Sequence, residues 1–192
     1  MVIKGNKDYK NIIEKIVKTG NEVGGTYELM AKGLTTKMMS THDIIEILNL
    51  DAKTLDEFVT AIMTFDHKVV GPYITEKYFM LIPDLKIAVS QLVRDSLNSR
   101  RCVITFPPEH CFQSIQLLLR ENTINVVCFM RSCDAIKNLP HDIWLCSFLA
   151  DMFAYYITET KIVEERPYKE HNISMFFGSL HIYKDDLKDY VL

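Results

Sequence analysis

The chain has 192 residues, of which 48% are hydrophobic and 24% are charged, and its formal net charge is −3. These values are ordinary for a globular chain of one domain over residues 1–192, and they exclude a strongly basic protein that binds nucleic acid through bulk charge. No run of about 18 apolar residues is present and the N-terminus lacks a signal-peptide pattern, so we expect a cytoplasmic protein without a membrane partner.

The N-terminal half is predicted to be mainly helical. Apolar residues at helical spacing predict helices over 9–18 and 54–65, and Gly20 is interpreted as the C-cap of the first. Residues 21–26 include two glycines and predict a turn. Another helix is predicted to begin at Pro83, because proline suits the first helical turn and apolar residues follow at helical spacing.

The C-terminal half is predicted to be mainly β-strand with one long helix. Short apolar segments predict strands over 102–106, 114–119, 124–130 and 172–177. Between the last two strands, a helix is predicted to start near Pro140 and to end near Ile157.

Side chains suited to chemistry are concentrated between Ser99 and Trp144. Arginine binds phosphate oxygens through a planar fork, a cysteine thiolate is a soft nucleophile, and a carboxylate accepts hydrogen bonds from a base. Together these groups predict a site that holds a nucleotide and attacks its base. The residues concerned are Arg100, Arg101, Cys111, Arg131, Ser132, Asp134 and Asp142.

This stretch resembles the core of the thymidylate synthase superfamily, and the resemblance covers 84–144 and 172–184. In that family Ser-Arg-Arg precedes Pro-Pro-Cys, a glutamine follows the cysteine by five residues, and Arg-Ser-x-Asp comes later. Here Gln116 and Arg131 follow Cys111 by five and twenty residues. Placing Glu109 in the nucleophile position breaks both intervals, so Cys111 is the predicted nucleophile.

The five cysteines are an odd number without CxxC pairs, which predicts free thiols and no zinc site. A lone cysteine is usually a buried small hydrophobe. Cys111 differs because it follows Pro-Pro, and a nearby Arg131 favours the reactive thiolate. Glu109 and His110 are alternative acid–base groups beside it, and the other four cysteines are interpreted as structural.

The resemblance implies an α+β fold in which helices pack on one mixed β-sheet, and a homodimer formed through that sheet. It implies that Arg100 and Arg101 reach across the interface to the phosphate in the partner's site, and that Arg131 and Ser132 bind phosphate as well. Gln116 and Asp134 are the remaining predicted contacts to the nucleotide in this stretch.

Asp142 stands eleven residues after Arg131, where the synthases carry an asparagine that reads uracil and the deoxycytidylate hydroxymethylase branch carries an aspartate. A carboxylate accepts from the amino group of cytosine and repels O4 of uracil. The alternative is an N-cap aspartate at the start of the long helix. The segment 178–183 resembles the family's sugar-binding His-x-Tyr, so His181 and Tyr183 are predicted to face the sugar together.

Three departures from the family accompany the resemblance. Glu46 is the counterpart of a catalytic glutamate only if the register includes a one-residue deletion, and an exposed helix residue is the alternative. The loop 21–26 lacks the family's phosphate-binding arginine. The chain ends nine residues after Tyr183, so the segment that closes over folate in the synthases is missing or much reduced.

The predicted function is therefore hydroxymethylation of dCMP, or CMP, with 5,10-methylenetetrahydrofolate through a bond between Cys111 and C6 of the base. A folate-independent enzyme acting on cytosine nucleotides and a non-catalytic nucleotide-binding homologue stay open as alternatives. The resemblance also implies a virus-encoded enzyme of DNA modification that acts in the host cytoplasm.

Overall fold

A computed structural model describes residues 1–37, 39–48, 50–64, 81–95, 98–159 and 171–188. Residues 70–73, which resemble the Gly-Pro-x-Tyr turn of the synthases, lie outside these ranges. The strands are β1 (Val2–Ile3), β2 (Asn21–Val23), β3 (Thr26–Lys37), β4 (Val103–Thr105), β5 (Phe112–Arg120), β6 (Thr123–Asp134) and β7 (Asn172–Tyr183). The helices are α1 (Asn6–Thr19), α2 (Thr41–Leu48), α3 (Ala52–Thr64), α4 (Leu81–Asp95) and α5 (Leu139–Glu159), and a 3-10 turn spans Asp186–Lys188.

The described strands form one seven-stranded mixed sheet, which confirms the predicted α+β class. The strand order is β1-β3-β7-β6-β5-β4, and β2 pairs with β3 outside this path. The pairs β1–β3 and β6–β7 are parallel, while the other neighbours are antiparallel. A parallel pair needs a long crossover connection, and the chain between β6 and β7 includes α5.

Helix α5 lies against the sheet and is buried almost all round. Of its first twelve residues, only Phe148 is less than fully buried. Helices α2 and α4 contact α5, and α1 packs against β3 and β7. The helices therefore cover one face of the sheet, where the apolar core lies. None of the helices in the described ranges is long and apolar enough to cross a membrane.

Glycines at two sites, the turn at 24–25 and position 20, refine the sequence-based predictions. Gly24 and Gly25 have φ of +53° and +83° and close the two-residue hairpin between β2 and β3, a turn that glycine favours. Gly20 is the C-cap of α1, as predicted, but its conformation is extended, with φ −73°, and not left-handed. Glycine is needed there for space, since a Cβ would lie 2.4 Å from the carbonyl oxygen of Ile16 and 3.0 Å from the backbone of Glu28.

The strand boundaries also differ from those predicted. Strand β7 continues to Tyr183 and β6 continues to Asp134, so both strands are longer than their apolar segments. Arg100 and Arg101 lie before β4 rather than on a strand edge. Polar residues extend these strands because pairing with neighbours continues past the core, as in the pair Asp134–His181.

Four adjacent strands are irregular at the same level, and we call this feature the kink. Strand β5 has a bulge at Gln113, and the regular pairing of β6, β7 and β3 is interrupted at Arg131, Gly178 and Ala31, the last of which has φ of +50°. A Cβ on Gly178 would lie 2.7 Å from the carbonyl oxygen of Arg131, so only glycine allows this approach.

The kink reverses which residues face the helices. In β6 the even-numbered residues up to Met130 are buried, whereas Cys133 is buried beyond the kink. In β7 the odd-numbered residues up to Phe177 are buried, and beyond the kink the even-numbered ones are. Because successive side chains of a strand alternate between faces, Ser132 and Asp134 share one face beyond the kink.

Candidate functional site

The predicted nucleophile lies where β5 and β6 meet at the kink. Cys111 immediately precedes β5, and its carbonyl oxygen accepts a hydrogen bond of 2.7 Å from the N–H of Arg131. Its Sγ lies 3.8 Å from Oγ of Ser132. The other four cysteines are free and buried, whereas Cys111 is only half-buried. Among these thiols, therefore, Cys111 is the one that a reactant reaches most easily.

Arg131 presents a cation near the segment that carries Glu109 and Cys111. Its side chain is exposed, and Nη2 donates to the carbonyl oxygen of Glu109 at 3.3 Å. A guanidinium carries five N–H donors, so this bond leaves capacity for an anion. The carboxylate of Glu109 is exposed, while His110 is buried with its ring 6.1 Å from that of Phe106.

The ends of β6 and β7 bring four more polar residues together. Ser132 pairs with Ser179, and Asp134 pairs with His181. Nδ1 of His181 lies 3.5 Å from Oγ of Ser179. The rings of His181 and Tyr183 are 5.3 Å apart and nearly perpendicular, so both lie on one face, as their spacing predicts.

Asp134 organises the connection to α5. It is buried, and Oδ1 accepts from the N–H groups of Ile136 and Lys137 at 2.9 and 3.0 Å. Burial raises the pKa of Asp134, and these two hydrogen bonds oppose the shift. With Oδ1 used by the backbone, Oδ2 is the oxygen that this carboxylate offers to a ligand.

Asp142 lies inside α5 and is not its N-cap. The helix begins at Leu139, and the N–H of Asp142 already donates to the carbonyl of Asn138 at 2.9 Å. The side chain is 8% exposed, and Oδ2 accepts from the Cys133 thiol at 3.4 Å. Burial raises the pKa of Asp142 to about 7; the negative charge of Asp134 adds to the shift and the Cys133 thiol opposes it.

Gln116 and the arginine pair lie away from the thiol of their own chain. Gln116 is five strand positions beyond Cys111, roughly 16 Å along β5. Its Nε2 donates to the carbonyl of Arg100 at 2.7 Å. Gln116 thus ties the segment of Arg100 and Arg101 to the sheet, and both arginines are exposed.

Glu46 lies on α2 and not against these residues. Its side chain is 70% exposed, and its carboxylate is 3.3 Å from Nε2 of His42. Its backbone carbonyl accepts from Asn6, which begins α1. The geometry matches the alternative of an exposed helix glutamate.

Sequence reasoning missed three residues of the site. The hydroxyl of Tyr9 donates to the carbonyl of Ala135 at 2.8 Å, although Tyr9 was predicted only as part of an apolar face. Oδ1 of Asn138 is buried and lacks a hydrogen-bond partner among the described atoms. Cys133 was predicted to be structural, yet it contacts Asp142. For Tyr9 and Cys133 the sequence did contain a signal, because each carries a hydroxyl or thiol group at a position predicted to lie in the core, where such a group needs a partner.

A scan against protein-family models and a search of curated proteins find no match to this chain. In the part of the chain with described coordinates, no group of three His, Cys, Asp or Glu residues is placed to hold a metal ion.

Proposed function

We propose that the protein modifies C5 of a cytosine nucleotide, most specifically by hydroxymethylating dCMP or CMP, as an enzyme of the thymidylate synthase type. One observation carries the proposal. The half-buried thiol of Cys111 lies 3.8 Å from Oγ of Ser132, at the end of the sheet where β6 and β7 carry Asp134 and His181, and the buried carboxylate of Asp142 lies behind this end of β6, against Cys133. The resemblance of 84–144 to the deoxycytidylate hydroxymethylase branch supports the same function.

Cys111 is proposed as the nucleophile. Its thiolate forms a bond to C6 of the base, and the π electrons of the C5–C6 bond move to C5 and into the ring. C5 thereby becomes electron-rich and reacts with a one-carbon electrophile. Loss of the C5 proton and release of the carrier of the one-carbon unit leave an exocyclic methylene group at C5. Water adds to this group to give the hydroxymethyl group, and departure of the thiolate restores the aromatic ring. Ser132, 3.8 Å from the sulfur, is placed to hydrogen-bond to it.

Asp142 is proposed to recognise the base. One carboxyl oxygen accepts from the amino group of cytosine, and the other faces N3. Addition of the thiolate makes N3 more basic, so a carboxyl group that titrates near neutrality suits the sharing of a proton with N3. Uracil offers O4 instead of an amino group, and a carboxylate repels that oxygen.

The arginines and the β7 residues are proposed to hold the rest of the nucleotide. Arg131 and Ser132 bind the phosphate, and His181 with Tyr183 binds the sugar hydroxyl. Charge-assisted hydrogen bonds from a guanidinium to phosphate fix C6 at the sulfur, which lowers the entropy cost of the attack.

A second copy of the chain is the proposed partner. Phe129 and Phe176 stack at 5.3 Å on the sheet face away from the helices, and they are 48% and 45% exposed. Exposed aromatic surface of this kind is typical of an interface. Gln116 holds the Arg100 segment beside this face, which supports the proposal that Arg100 and Arg101 serve the partner's site.

5,10-Methylenetetrahydrofolate is the proposed one-carbon donor, and it supplies carbon at the oxidation level of formaldehyde. The unpartnered Oδ1 of Asn138 and the free oxygen of Asp134 fit the N–H groups of a polar heterocycle. These two residues are therefore proposed to hold the donor.

The position of Glu46 favours a second candidate. Its carboxylate is exposed and contacts His42, so the catalytic set of the synthases is incomplete in this geometry. A protein that binds cytosine nucleotides without turnover fits this observation.

The test is to incubate the protein with dCMP and 5,10-methylenetetrahydrofolate and to measure the mass of the nucleotide. Gain of one hydroxymethyl group is the expected result. Exchange of the C5 hydrogen for solvent hydrogen without folate, with no mass gain when folate is added, would identify a folate-independent enzyme. Binding without exchange would identify the non-catalytic alternative.

A further inference from the structure

Asp142 has one described side-chain partner, and that partner is the thiol of Cys133. Oδ2 of the carboxylate lies 3.4 Å from Sγ, which is a normal separation for a thiol donor. The thiol also lies 3.5 Å from the carbonyl oxygen of Asp134. A thiol has a single proton, and a carboxylate is the stronger acceptor of the two because it carries a charge.

Cys133 reaches Asp142 because of the kink. It is 1% exposed and points toward the helices, whereas its neighbours Ser132 and Asp134 lie on the other face. Three ionisable groups surround the carboxylate: Cys133 and Asp134 from β6, and Cys146 from α5 itself. Of these, Cys133 is the one that donates to it.

We propose that Cys133 is a positioning residue for Asp142: its thiol donates to Oδ2 and so fixes the orientation of the carboxylate toward the bound base. The thiol also favours the charged form of the carboxylate, because a hydrogen bond to an anion stabilises it. The part of this inference that concerns the base rests on the proposed function. The part that concerns the carboxylate does not, because it can be measured on the protein without a nucleotide.

The hydrogen bond from Cys133 is important because the other surroundings of Asp142 disfavour its charged form. Burial of Asp142 and the negative charge of Asp134 both disfavour a charged carboxyl group, and both raise its pKa. The thiol acts in the opposite direction. Burial and contact with Asp142 also raise the pKa of Cys133 well above the usual value, so the thiol keeps its proton and stays a donor at neutral pH.

The experiment is a titration of the Asp142 carboxyl carbon by NMR on protein labelled with carbon-13 aspartate. Asp142→Asn assigns the signal. Cys133→Ala is expected to raise the titration midpoint by about one pH unit, because the donor to the charged form is lost. Cys133→Ser supplies a hydroxyl donor and is expected to restore a midpoint at or below that of the wild type. Cys102→Ala removes another buried thiol that does not contact Asp142, and it should leave the midpoint unchanged.

A binding measurement follows on the same proteins. At pH 8, a rise of one unit from a midpoint near 7 increases the neutral fraction of Asp142 about fivefold. The ratio of charged to neutral carboxyl falls about tenfold at the same time, because the charged fraction also decreases. The charged form is proposed to hold dCMP and to repel dUMP, so the preference of Cys133→Ala for dCMP over dUMP should fall about tenfold, and Cys133→Ser should keep it.

An unchanged midpoint in folded Cys133→Ala overturns the inference, as does a Cys133→Ser protein that behaves like Cys133→Ala. If the midpoint shifts as expected but the wild type binds neither nucleotide, the positioning role stands and the proposed function fails. If Cys133→Ala does not fold, the serine variant alone decides: a midpoint above the wild-type value counts against the role.

Discussion

The N–H of Arg131 donates to the carbonyl oxygen of Cys111 at 2.7 Å, so the two residues face each other across β5 and β6. The hairpin between these strands closes at Glu121 and Asn122, which both have positive φ, and the bulge at Gln113 takes up one residue. A hairpin without that bulge would place Ser132 opposite Cys111. The twenty-residue interval is therefore a geometric property of the hairpin, and it pairs the backbone of Arg131 with that of Cys111.

Replacing Cys111 with alanine should abolish turnover, because the atom that bonds to C6 is lost. Release of tritium from C5 of labelled dCMP measures this step, and nucleotide affinity should change by less than about threefold, since no phosphate contact is removed. Cys102→Ala is the matched control, since Cys102 is buried and remote from the hairpin end. Full activity of Cys111→Ala would contradict the assignment of Cys111 as the nucleophile and would favour Glu109 in that role.

Asp142→Asn should shift the base preference of the protein from cytosine toward uracil. The amide offers an NH₂ group to O4 of uracil, and it no longer repels that oxygen. Each buried polar group left unpaired costs about 1–3 kcal/mol, so the ratio of dCMP to dUMP affinity should fall at least roughly tenfold. Isothermal titration with both nucleotides measures this ratio. A variant with the wild-type ratio would remove Asp142 from base recognition.

The same substitution should change stability in a pH-dependent way. The pKa of Asp142 is raised from 3.8 to about 7 by burial, so the folded state holds a proton that the unfolded state has lost between these values. Wild-type stability therefore falls as pH rises through this window, by at most on the order of 4 kcal/mol. Relative to wild type, Asp142→Asn should gain stability at pH 8 compared with pH 4.

Urea unfolding at the two pH values measures that difference. Asp151→Asn is a suitable control because this half-buried aspartate lies further along the same helix. If Asp142→Asn and wild type differ by the same free energy at pH 4 and pH 8, the carboxyl group is not protonated in the folded state.

Hybrid dimers should recover activity. Arg101→Ala and Cys111→Ala proteins are each expected to be inactive, but in a mixed dimer one site receives an intact arginine pair and an intact thiol. With random exchange, about a quarter of the wild-type activity is expected, because half of the dimers are hybrids and each has one complete site. Phe176→Asp should prevent this recovery by dissociating the dimer, which sedimentation detects. Absence of recovery after confirmed subunit exchange would show that each site uses one chain.

Gly178→Ala should destabilise the fold by roughly 2 kcal/mol or more, because the new Cβ meets the carbonyl oxygen of Arg131 at 2.7 Å. Gly33→Ala is the control, since its Cβ would lie 3.5 Å from the Phe176 ring, an ordinary contact. Thermal unfolding of both variants measures the difference. Equal stability of the two variants would mean that the strands separate at the kink without cost.

The sequence was sufficient to predict several regular elements of the core, but not the long strand β3, for which no strand was predicted. Helical spacing in 9–18 and alternation in 124–130 correspond to α1 and β6, because burial of one face imposes a period on the sequence. The ends of β6 and β7 were not predicted, because their polar residues are held by pairing and not by an apolar pattern.

The site was predictable only where residue type and interval coincide with a strand or hairpin. His181 and Tyr183 come together because their spacing matches the strand period. The contact of Cys133 with Asp142 was not predictable, since it depends on the reversal of faces at the kink. The reversal brings together residues that are not adjacent in the sequence, and no local pattern in β6 predicts it.

The reversal at the kink also separates two kinds of surface along each strand. Before it, the face of β6 and β7 away from the helices carries the aromatic pair Phe129 and Phe176; beyond it, the corresponding positions carry polar groups. We therefore expect substitutions of the polar side chains beyond the kink to change the chemistry at that end of the sheet without altering the aromatic surface before it, which gives a protein engineer two regions to vary separately.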